Sequence, residues 1–172
     1  MENDKEPFRS SVGSGNSSDL SHDKIYKTFN ADTICFDIYN KKIVYKNKPI
    51  SPYRLYSLIS NEVEKIKIVL LVTIKAFPVN YEPVPPIKIK PKGNWLENIW
   101  LEYEKRYCLY QNEINSNFET LSELLLMQKY IEYMSFSLIE KKKQTSNNIE
   151  ATGWLYHPVK DQIRDMKLSK YI

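Results

Sequence analysis

Glycine, histidine and cysteine are scarce in this chain of 172 residues. Its 4 glycines are too few for a turn-rich all-β sandwich or for a glycine-rich phosphate loop. The 2 histidines, His22 and His157, and the 2 cysteines, Cys35 and Cys108, lack the short spacing of zinc ligands. Because nucleophilic catalysis needs a base within reach of the nucleophile, we predict no catalytic residues, no metal and no other cofactor.

Long hydrophobic runs and secretion signals are also lacking. The longest apolar stretch, residues 66–74, is interrupted by Lys67 and is far shorter than a membrane span. The N-terminal residues are polar and acidic, unlike a signal peptide. Dispersed cysteines fit free thiols in a reducing compartment better than a disulfide framework. We therefore predict a soluble, cytoplasmic protein with no membrane partner.

Pairs of carboxylates do occur at a spacing that a helix would bring to one face. Glu119 and Glu123 are related by i,i+4, as are Asp161 and Asp165. A metal-dependent nuclease needs carboxylates that converge from several elements, so a small enzyme is the third of three hypotheses. The second pair lies among basic residues, as in an exposed helix with charges of both signs: Lys160, Arg164 and Lys167.

Positive charge is concentrated in the middle of the chain. Residues 41–93 contain eleven basic and three acidic side chains, whereas the flanking segments are acidic or close to neutral. Such a segment is typical of a protein that binds a polyanion. A solvated lysine surface has the same composition, so both interpretations stay open at this point.

Composition divides the chain into four segments. Serine, asparagine and aspartate dominate the start, and prolines cluster near the middle. The segments are a disordered tail (1–22), a small α+β unit with a suspected role in DNA binding (23–77), a proline-rich linker (78–93) and a helical assembly domain (94–172).

Within the α+β unit, local patterns predict two strands and a helix. Residues 33–39 and 43–45 are β-branched and aromatic, which predicts a hairpin. Ser51 followed by Pro52 predicts the start of a short helix. Residues 62–77 fit either a strand or a helix, and their length favours a buried helix.

The C-terminal segment has the periodicity of helices. One is predicted from Trp95 to about Tyr110, a longer one over residues 118–143, and a last one after His157 and Pro158. The fold class expected is therefore α+β and mainly helical. A small N-terminal hairpin-plus-helix unit would precede a helical hairpin and a short C-terminal helix.

The best candidate for nucleic-acid contact is the basic part of the α+β unit. Two strands and a Ser-Pro-capped helix resemble part of a winged or helix-turn-helix unit, whose helix enters a major groove. Tyrosines interleave with the basic residues, as in surfaces that contact phosphates. The residues predicted to contact DNA are Lys41, Lys42, Lys46, Lys48, Arg54, Lys65 and Lys67.

From Pro83 to Met166, the order of features resembles the small subunit of tailed-phage terminases. A Pro-Val-Pro-Pro lead precedes a helix with two tryptophans, and a longer helix follows a short break. A loop that contains Gly153 then meets the His157-Pro158 step before the last helix.

The resemblance implies a non-enzymatic, oligomeric DNA-binding factor in viral genome packaging. Its partners would be double-stranded DNA, the motor (large terminase) subunit and further copies of the same chain. The alternative is a structural or adaptor subunit of a larger complex with no nucleic-acid role. Residues expected to serve in packing or in contacts with other subunits are Trp95, Trp100, Tyr103, Tyr107 and His157.

Overall fold

A single mixed β-sheet runs through the two segments that were expected to be separate. The computed structural model describes residues 16–30, 32–62, 65–75, 95–111, 118–146 and 149–171. The strands are β1 (Thr33–Asp37), β2 (Lys42–Tyr45), β3 (Lys48–Ile50), β4 (Ile66–Thr73), β5 (Ile149–His157) and β6 (Gln162–Asp165). They form a six-stranded sheet in the order β3-β2-β1-β4-β5-β6.

Helices cover both faces of the sheet. No described helix is long and apolar enough to cross a bilayer. The helices are α1 (Asn16–Lys27), α2 (Pro52–Ser57), α3 (Glu97–Gln111), α4 (Phe118–Met134) and α5 (Ser137–Ser146). A π-helical turn, Leu58–Glu62, extends α2, and a 3-10 turn, Leu168–Tyr171, ends the described chain.

The three middle strands are parallel, and the outer strands are antiparallel to their neighbours. β1 pairs in parallel with β4, and β4 pairs in parallel with β5. β2 and β3 extend the sheet from β1, and β6 extends it from β5. Because strands in the middle of a parallel sheet are buried on both faces, β1 and β4 consist almost wholly of buried side chains.

Side chains of the central strands alternate between two apolar layers. On one face, Phe36 and Leu70 belong to the larger core, which α4 closes by packing against β4 and β5. On the other face, Cys35 and Leu71 belong to a smaller cluster with α1. The sheet is therefore the middle layer between α1 and the helices α2 to α5.

The predicted fold class, a hairpin-plus-helix unit followed by a helical hairpin, is wrong. Residues 62–77 do not form the favoured helix, since β4 occupies Ile66–Thr73 and pairs with β5 near the C-terminus. The physical reason is burial on both faces, which removes the alternation of apolar and polar residues that marks a half-exposed strand. The same pairing joins segment 23–77 to segment 94–172.

The C-terminal end and the tail also differ from the predictions. His157 ends β5 and Pro158 begins the turn to β6, so no helix starts there. Ile149–His157 alternates between buried and more exposed side chains, the pattern of a strand, but Gly153 and Pro158 favoured a loop and a helix start. The helix Asn16–Lys27 begins inside the predicted disordered tail (1–22), of which residues 1–15 lie outside the described residues.

Several local predictions are confirmed. β1 and β2 form the expected antiparallel pair. The Ser51 hydroxyl accepts the backbone N–H of Arg54 at 3.0 Å and caps α2, with Pro52 at its first position. Helices occupy 97–111 and most of 118–143, with a break between α4 and α5. The predicted linker, residues 78–93, lies outside the described residues.

Gly153 is needed where β5 passes under α4. A Cβ atom at this position would lie 2.9 Å from Cδ2 of Leu126, which is fully buried. We expect Gly153→Ala to lower the free energy of unfolding by about 1–3 kcal/mol, because the core has no room for the added methyl group. Urea unfolding measures the change.

A double-mutant cycle tests the cause of this loss. In a Leu126→Ala background the same methyl group fits into vacated space, so the cost of Gly153→Ala should fall close to zero. An equal cost in both backgrounds would show that backbone conformation, not overpacking, requires glycine here. Val159→Ala is the control, since Val159 is 97% exposed and should change stability by less than about 0.5 kcal/mol.

Candidate nucleic-acid interface

The three parallel strands end at one edge of the sheet, which we call the carboxyl edge. β1 ends at Asp37, β4 at Thr73 and β5 at His157. From β1 the chain turns back into the antiparallel strand β2 on one side, whereas the parallel strands β4 and β5 follow in chain order on the other side.

A buried carboxylate fixes the local structure at this edge. Asp37 is 1% exposed, and its Oδ1 accepts the backbone N–H of Asn40 at 3.0 Å. Its Oδ2 accepts the side-chain amide of Asn40 at 2.9 Å and the hydroxyl of Tyr26 from α1. These bonds hold the β1–β2 turn against α1, and so they position Lys41 in that turn and Lys42 at the start of β2.

Burial and the carboxylate together control the ionisation of Tyr26. Loss of hydration, followed by the negative charge of Asp37, raises the pKa of Tyr26 well above its ordinary value. The phenol therefore stays protonated and continues to donate to Asp37. The cluster is a structural one, because every donor in it already has an acceptor on Asp37.

His22 closes the same edge on the side of α1. It is 1% exposed, and its Nε2 lies 2.7 Å from the hydroxyl of Thr73. Its ring stacks on Tyr39, with centroids 5.6 Å apart and an interplanar angle of 9°, and meets Tyr156 edge-on at 5.4 Å. The contacts join α1 to the ends of β4 and β5.

A hollow of about 610 Å³ opens beside the carboxyl edge, on the face of the sheet that α4 covers. Its apolar walls come from β1, α2 and the junction of α4 and α5, and they include Phe36, Leu55 and Tyr133. Lys41 and Lys42 line it on the side of the β1–β2 turn. The hollow thus combines an apolar interior with positive charge.

A second hollow, of about 410 Å³, lies between α5 and α2 with the turn that follows α2, and its described lining shares no residue with the first hollow. Leu55 of the first hollow and Tyr56 of the second are neighbours on α2, and Phe136 and Ser137 are neighbours at the start of α5. We call the two hollows together the α2–α5 groove. Its principal lining residues are Phe36, Lys41, Lys42, Pro52, Leu55, Tyr56, Ile59, Lys129, Tyr133, Phe136, Leu138, Lys141 and Lys142.

Aromatic rings in contact with one another line the first hollow. Tyr133 meets Phe36 edge-on, with centroids 5.1 Å apart, and stacks on Phe136 at 5.2 Å and 29°. Phe36 is buried, whereas Phe136 is 45% exposed. The stacked rings are therefore anchored on the core by Phe36, and Phe136 exposes part of its ring to solvent.

Lysines outnumber carboxylates among the described residues that line the groove. Its described lining includes five lysines and a single carboxylate, the fully hydrogen-bonded Asp37, but the ammonium group of Lys42 lies over the Tyr26 ring on the side of α1. Lys129 also pairs with Glu132 at 3.3 Å, an exposed contact that solvent screens. The lysines come from the β1–β2 turn, the start of β2, α4 and α5: Lys41, Lys42, Lys129, Lys141 and Lys142.

The seven residues predicted to contact DNA do not share one face. Lys41 and Lys42 lie at the carboxyl edge, and Arg54 is exposed on α2. The register pairs Lys67 with Thr33 at the start of β1, roughly 13 Å from Asp37 at ~3.3 Å per residue. The remaining predicted residues lie towards that opposite edge: Lys46, Lys48 and Lys65.

The aromatic residues expected in packing or subunit contacts belong to the core. Trp100 is 8% exposed and Tyr103 is fully buried, and both form part of the main cluster. Trp95 and Tyr107 are half-buried and pack against it. His157 is also half-buried, and its Nε2 lies 3.4 Å from the carboxylate of Glu119.

Paired carboxylates serve as ion-pair partners at the other end of α4. Arg164 of β6 contacts Glu119 at 2.6 Å and Glu123 at 2.5 Å, and Arg106 contacts Glu123 at 3.1 Å. The hydrogen bond from Arg164 lowers the pKa of Glu119. Within the described ranges, no group of three or more His, Cys, Asp or Glu residues is arranged to hold a metal ion.

Sequence reasoning missed most of the groove. Tyr133 lies four positions after Lys129, and Phe136 lies three positions after Tyr133. This spacing places side chains on one face of a helix. That signal was present, but this segment was interpreted only as part of a helical assembly domain, and Lys129 was not considered as a ligand contact. His22 was placed in a tail, because no local pattern showed that α1 would pack on the sheet.

Comparison with known proteins gives no further guide to this surface. No family of known proteins matches the chain, and no curated protein matches it at a significant level.

Alkaline titration tests the buried cluster at the carboxyl edge. Tyr26→Phe removes a hydrogen-bond donor to a buried carboxylate, so we expect the free energy of unfolding to fall by about 1–3 kcal/mol. The raised pKa gives the sign of the pH effect: the unfolded tyrosine ionises above its ordinary pKa of 10.0, whereas the folded one does not. The difference in free energy of unfolding between wild type and Tyr26→Phe should therefore shrink as the pH rises from about 8 to about 11.

Urea unfolding of wild type and variant across this pH range provides the measurement. Tyr53→Phe is the control, since Tyr53 is 83% exposed and should show no such convergence. A constant difference between wild type and Tyr26→Phe at all pH values would contradict the description of this cluster.

Proposed function

We propose that this chain is a non-enzymatic nucleic-acid-binding protein whose α2–α5 groove holds a single-stranded segment. The observation that carries the proposal is the half-exposed ring of Phe136, stacked on Tyr133 and flanked by the lysines of the groove. Proteins that bind single strands without reading sequence combine a cationic groove with aromatic rings on which bases stack.

The lysines suit contact with phosphates rather than with bases. Lysine is a compact point charge on a flexible stem, so it attracts phosphodiesters without fixing a base identity. Lys41 and Lys129 line the first hollow, and Lys141 and Lys142 line the second. Positive charge therefore extends along the groove and can follow a backbone.

The aromatic surface favours an unpaired strand over a duplex. A base in a duplex already has both faces stacked, whereas an unpaired base offers a free face to Phe136 or to Tyr56, which is 57% exposed. Duplex DNA, the partner expected from the sequence, would contact the lysines alone. The proposal therefore keeps DNA as a ligand and changes the form that is bound most tightly.

The adaptor hypothesis is the second candidate function. It is favoured by the exposed aromatic side chains of α2, Tyr53 and Tyr56, which a protein partner would cover. The packaging role with a motor subunit stays a prediction of the sequence resemblance. The nucleic-acid proposal does not depend on that packaging role, because all the groove residues belong to one chain and no motor subunit is needed to form the groove.

Salt dependence tests the electrostatic part of the proposal. We expect a fluorescein-labelled, mixed-sequence single-stranded oligonucleotide to bind at low salt, with log K falling by about 0.7 per log unit of salt for each phosphate neutralised. Lys41→Gln and Lys129→Gln should each weaken binding and reduce the slope of log K against the logarithm of the salt concentration by up to about 0.7. Fluorescence anisotropy at several salt concentrations gives both quantities.

Lys105→Gln is the matched control, since it removes one exposed lysine from α3, which does not line the groove. Equal effects of Lys105→Gln and Lys129→Gln would mean that net charge alone matters and that the groove is not the site. Absence of binding at low salt would remove the nucleic-acid role and leave the adaptor hypothesis. Tighter binding of the matched duplex would restore the duplex interpretation.

Stacking is tested separately by Phe136→Ala. Loss of one stacking ring should weaken single-strand binding by about 1–3 kcal/mol and leave the salt dependence unchanged, because no charge is removed. Leu109→Ala on α3 is the control, as Leu109 is 56% exposed and lines neither hollow. A Phe136→Ala variant that binds as tightly as wild type would contradict the stacking role.

A further inference from the structure

The last strand, β6, has a strand on only one of its two sides within the described residues. All four of its residues, Gln162–Asp165, are exposed. The strand at the other side of the sheet, β3, is protected against further pairing, because it is shorter and contains Pro49, which lacks an N–H group. β6 contains no proline. Its outer side is therefore open to a further strand.

Hydrogen bonds show which backbone groups of β6 point outward. The N–H group of Met166 donates to the carbonyl of Gly153 at 2.8 Å, so the backbone groups of Met166 point towards β5. Successive residues of an antiparallel strand point alternately towards and away from their partner. Arg164 therefore also points towards β5, whereas Ile163 and Asp165 point outward. Two N–H groups and two carbonyl groups are thus presented to solvent.

A second copy of the chain presents the complementary set of groups. When two β6 strands run antiparallel about a two-fold axis at Arg164, Ile163 of each copy lies opposite Asp165 of the other. Each such pair exchanges two N–H···O bonds, which makes four in all. A shift of the pairing by two residues would bring Asp161 or Lys167 into the ladder, and their φ values of 51° and 52° are not those of a strand. Pairing about Arg164 is therefore the register that uses both outward residues of each copy.

The charges at the two ends of β6 are complementary in this register. Asp161 of each copy lies opposite Lys167 of the other, so the contact occurs twice. Both side chains are exposed, and neither belongs to an ion pair within the described part of the chain. Opposite charges that face each other across antiparallel strands stabilise the pairing.

The two arginines that meet at the axis are compensated by carboxylates. Like charges directly opposite each other normally oppose strand pairing. Arg164, however, contacts Glu119 at 2.6 Å and Glu123 at 2.5 Å, so four carboxylates of the two copies would surround two guanidinium groups. The side chain of Glu119 is 36% exposed, which allows it to accept from the arginine of either copy.

We propose that two copies of this chain associate through β6, so that two six-stranded sheets join into one continuous sheet with a two-fold axis at Arg164. The inference goes beyond nucleic-acid binding and does not rest on it, because β6 contributes no described residue to the lining of the α2–α5 groove.

Sedimentation equilibrium of the full-length protein, without nucleic acid, measures the association. We expect a monomer–dimer equilibrium with a Kd on the order of 100 µM, because so small a contact is typical of weak complexes. A protein that stays monomeric up to about 1 mM, or that assembles beyond a dimer, would overturn the proposal.

Ile163→Pro tests whether the outer side of β6 is the interface. The substitution removes an N–H group that is not used within the chain, so the fold should persist, whereas two of the four bonds between the copies are lost. We expect dimerisation to weaken at least about tenfold. Ile163→Ala is the control, since it keeps the N–H group and should stay within about threefold of wild type. Equal dimerisation of wild type and Ile163→Pro would show that the interface lies elsewhere.

A charge exchange tests the register without any change to the backbone. Asp161→Lys and Lys167→Asp should each weaken dimerisation about fivefold, because each places like charges opposite each other twice. The double variant restores opposite charges and should return to within about twofold of wild type. Lys160→Asp is the matched control, since it changes the net charge as Lys167→Asp does but has no charged residue opposite it. A double variant as weak as the single ones would rule out pairing about Arg164.

Discussion

The buried carboxylate of Asp37 is the interaction on which the carboxyl edge depends. It lies at the end of the central strand β1, and a charge buried at such a position costs several kcal/mol unless donors surround it. The backbone and side chain of Asn40 and the hydroxyl of Tyr26 supply those donors. Through them Asp37 fixes the β1–β2 turn and holds α1 against the sheet. Lys41 and the stack of His22 on Tyr39 take their positions from these two elements.

The layers of the fold explain why the groove and the buried cluster lie on opposite faces of one edge. Alternate residues of a strand face opposite sides of a sheet, so Phe36 points into the core beneath α4, and Asp37 points towards α1. The groove is built on the first face, where helices α2 and α5 leave lysines and rings uncovered. α1 closes the second face. The cationic groove therefore lies on the first face only and is open along the helices.

Local signals in the sequence identified individual elements but not how they assemble. The Ser51-Pro52 helix start and the β1–β2 hairpin were correct, because capping and strand composition act over a few residues. β4 was mistaken for a helix, since burial on both faces gives an apolar run with no period of two. The seven basic residues of segment 41–67 were predicted to contact DNA, but the hairpin carries Lys42 and Lys48 to opposite edges of the sheet. Only pairing of β4 with β5, distant in the chain, brings α4 and its Lys129 beside Lys41.

Photocrosslinking tests most directly whether the α2–α5 groove is the nucleic-acid site. A single-stranded oligonucleotide with photoreactive bases is irradiated with the full-length protein, and the modified peptides are identified by mass spectrometry. The account predicts that adducts concentrate on Tyr56, Tyr133 and Phe136, the aromatic residues of the groove. Adducts confined to the opposite edge of the sheet, near Lys46 and Lys67, would contradict it.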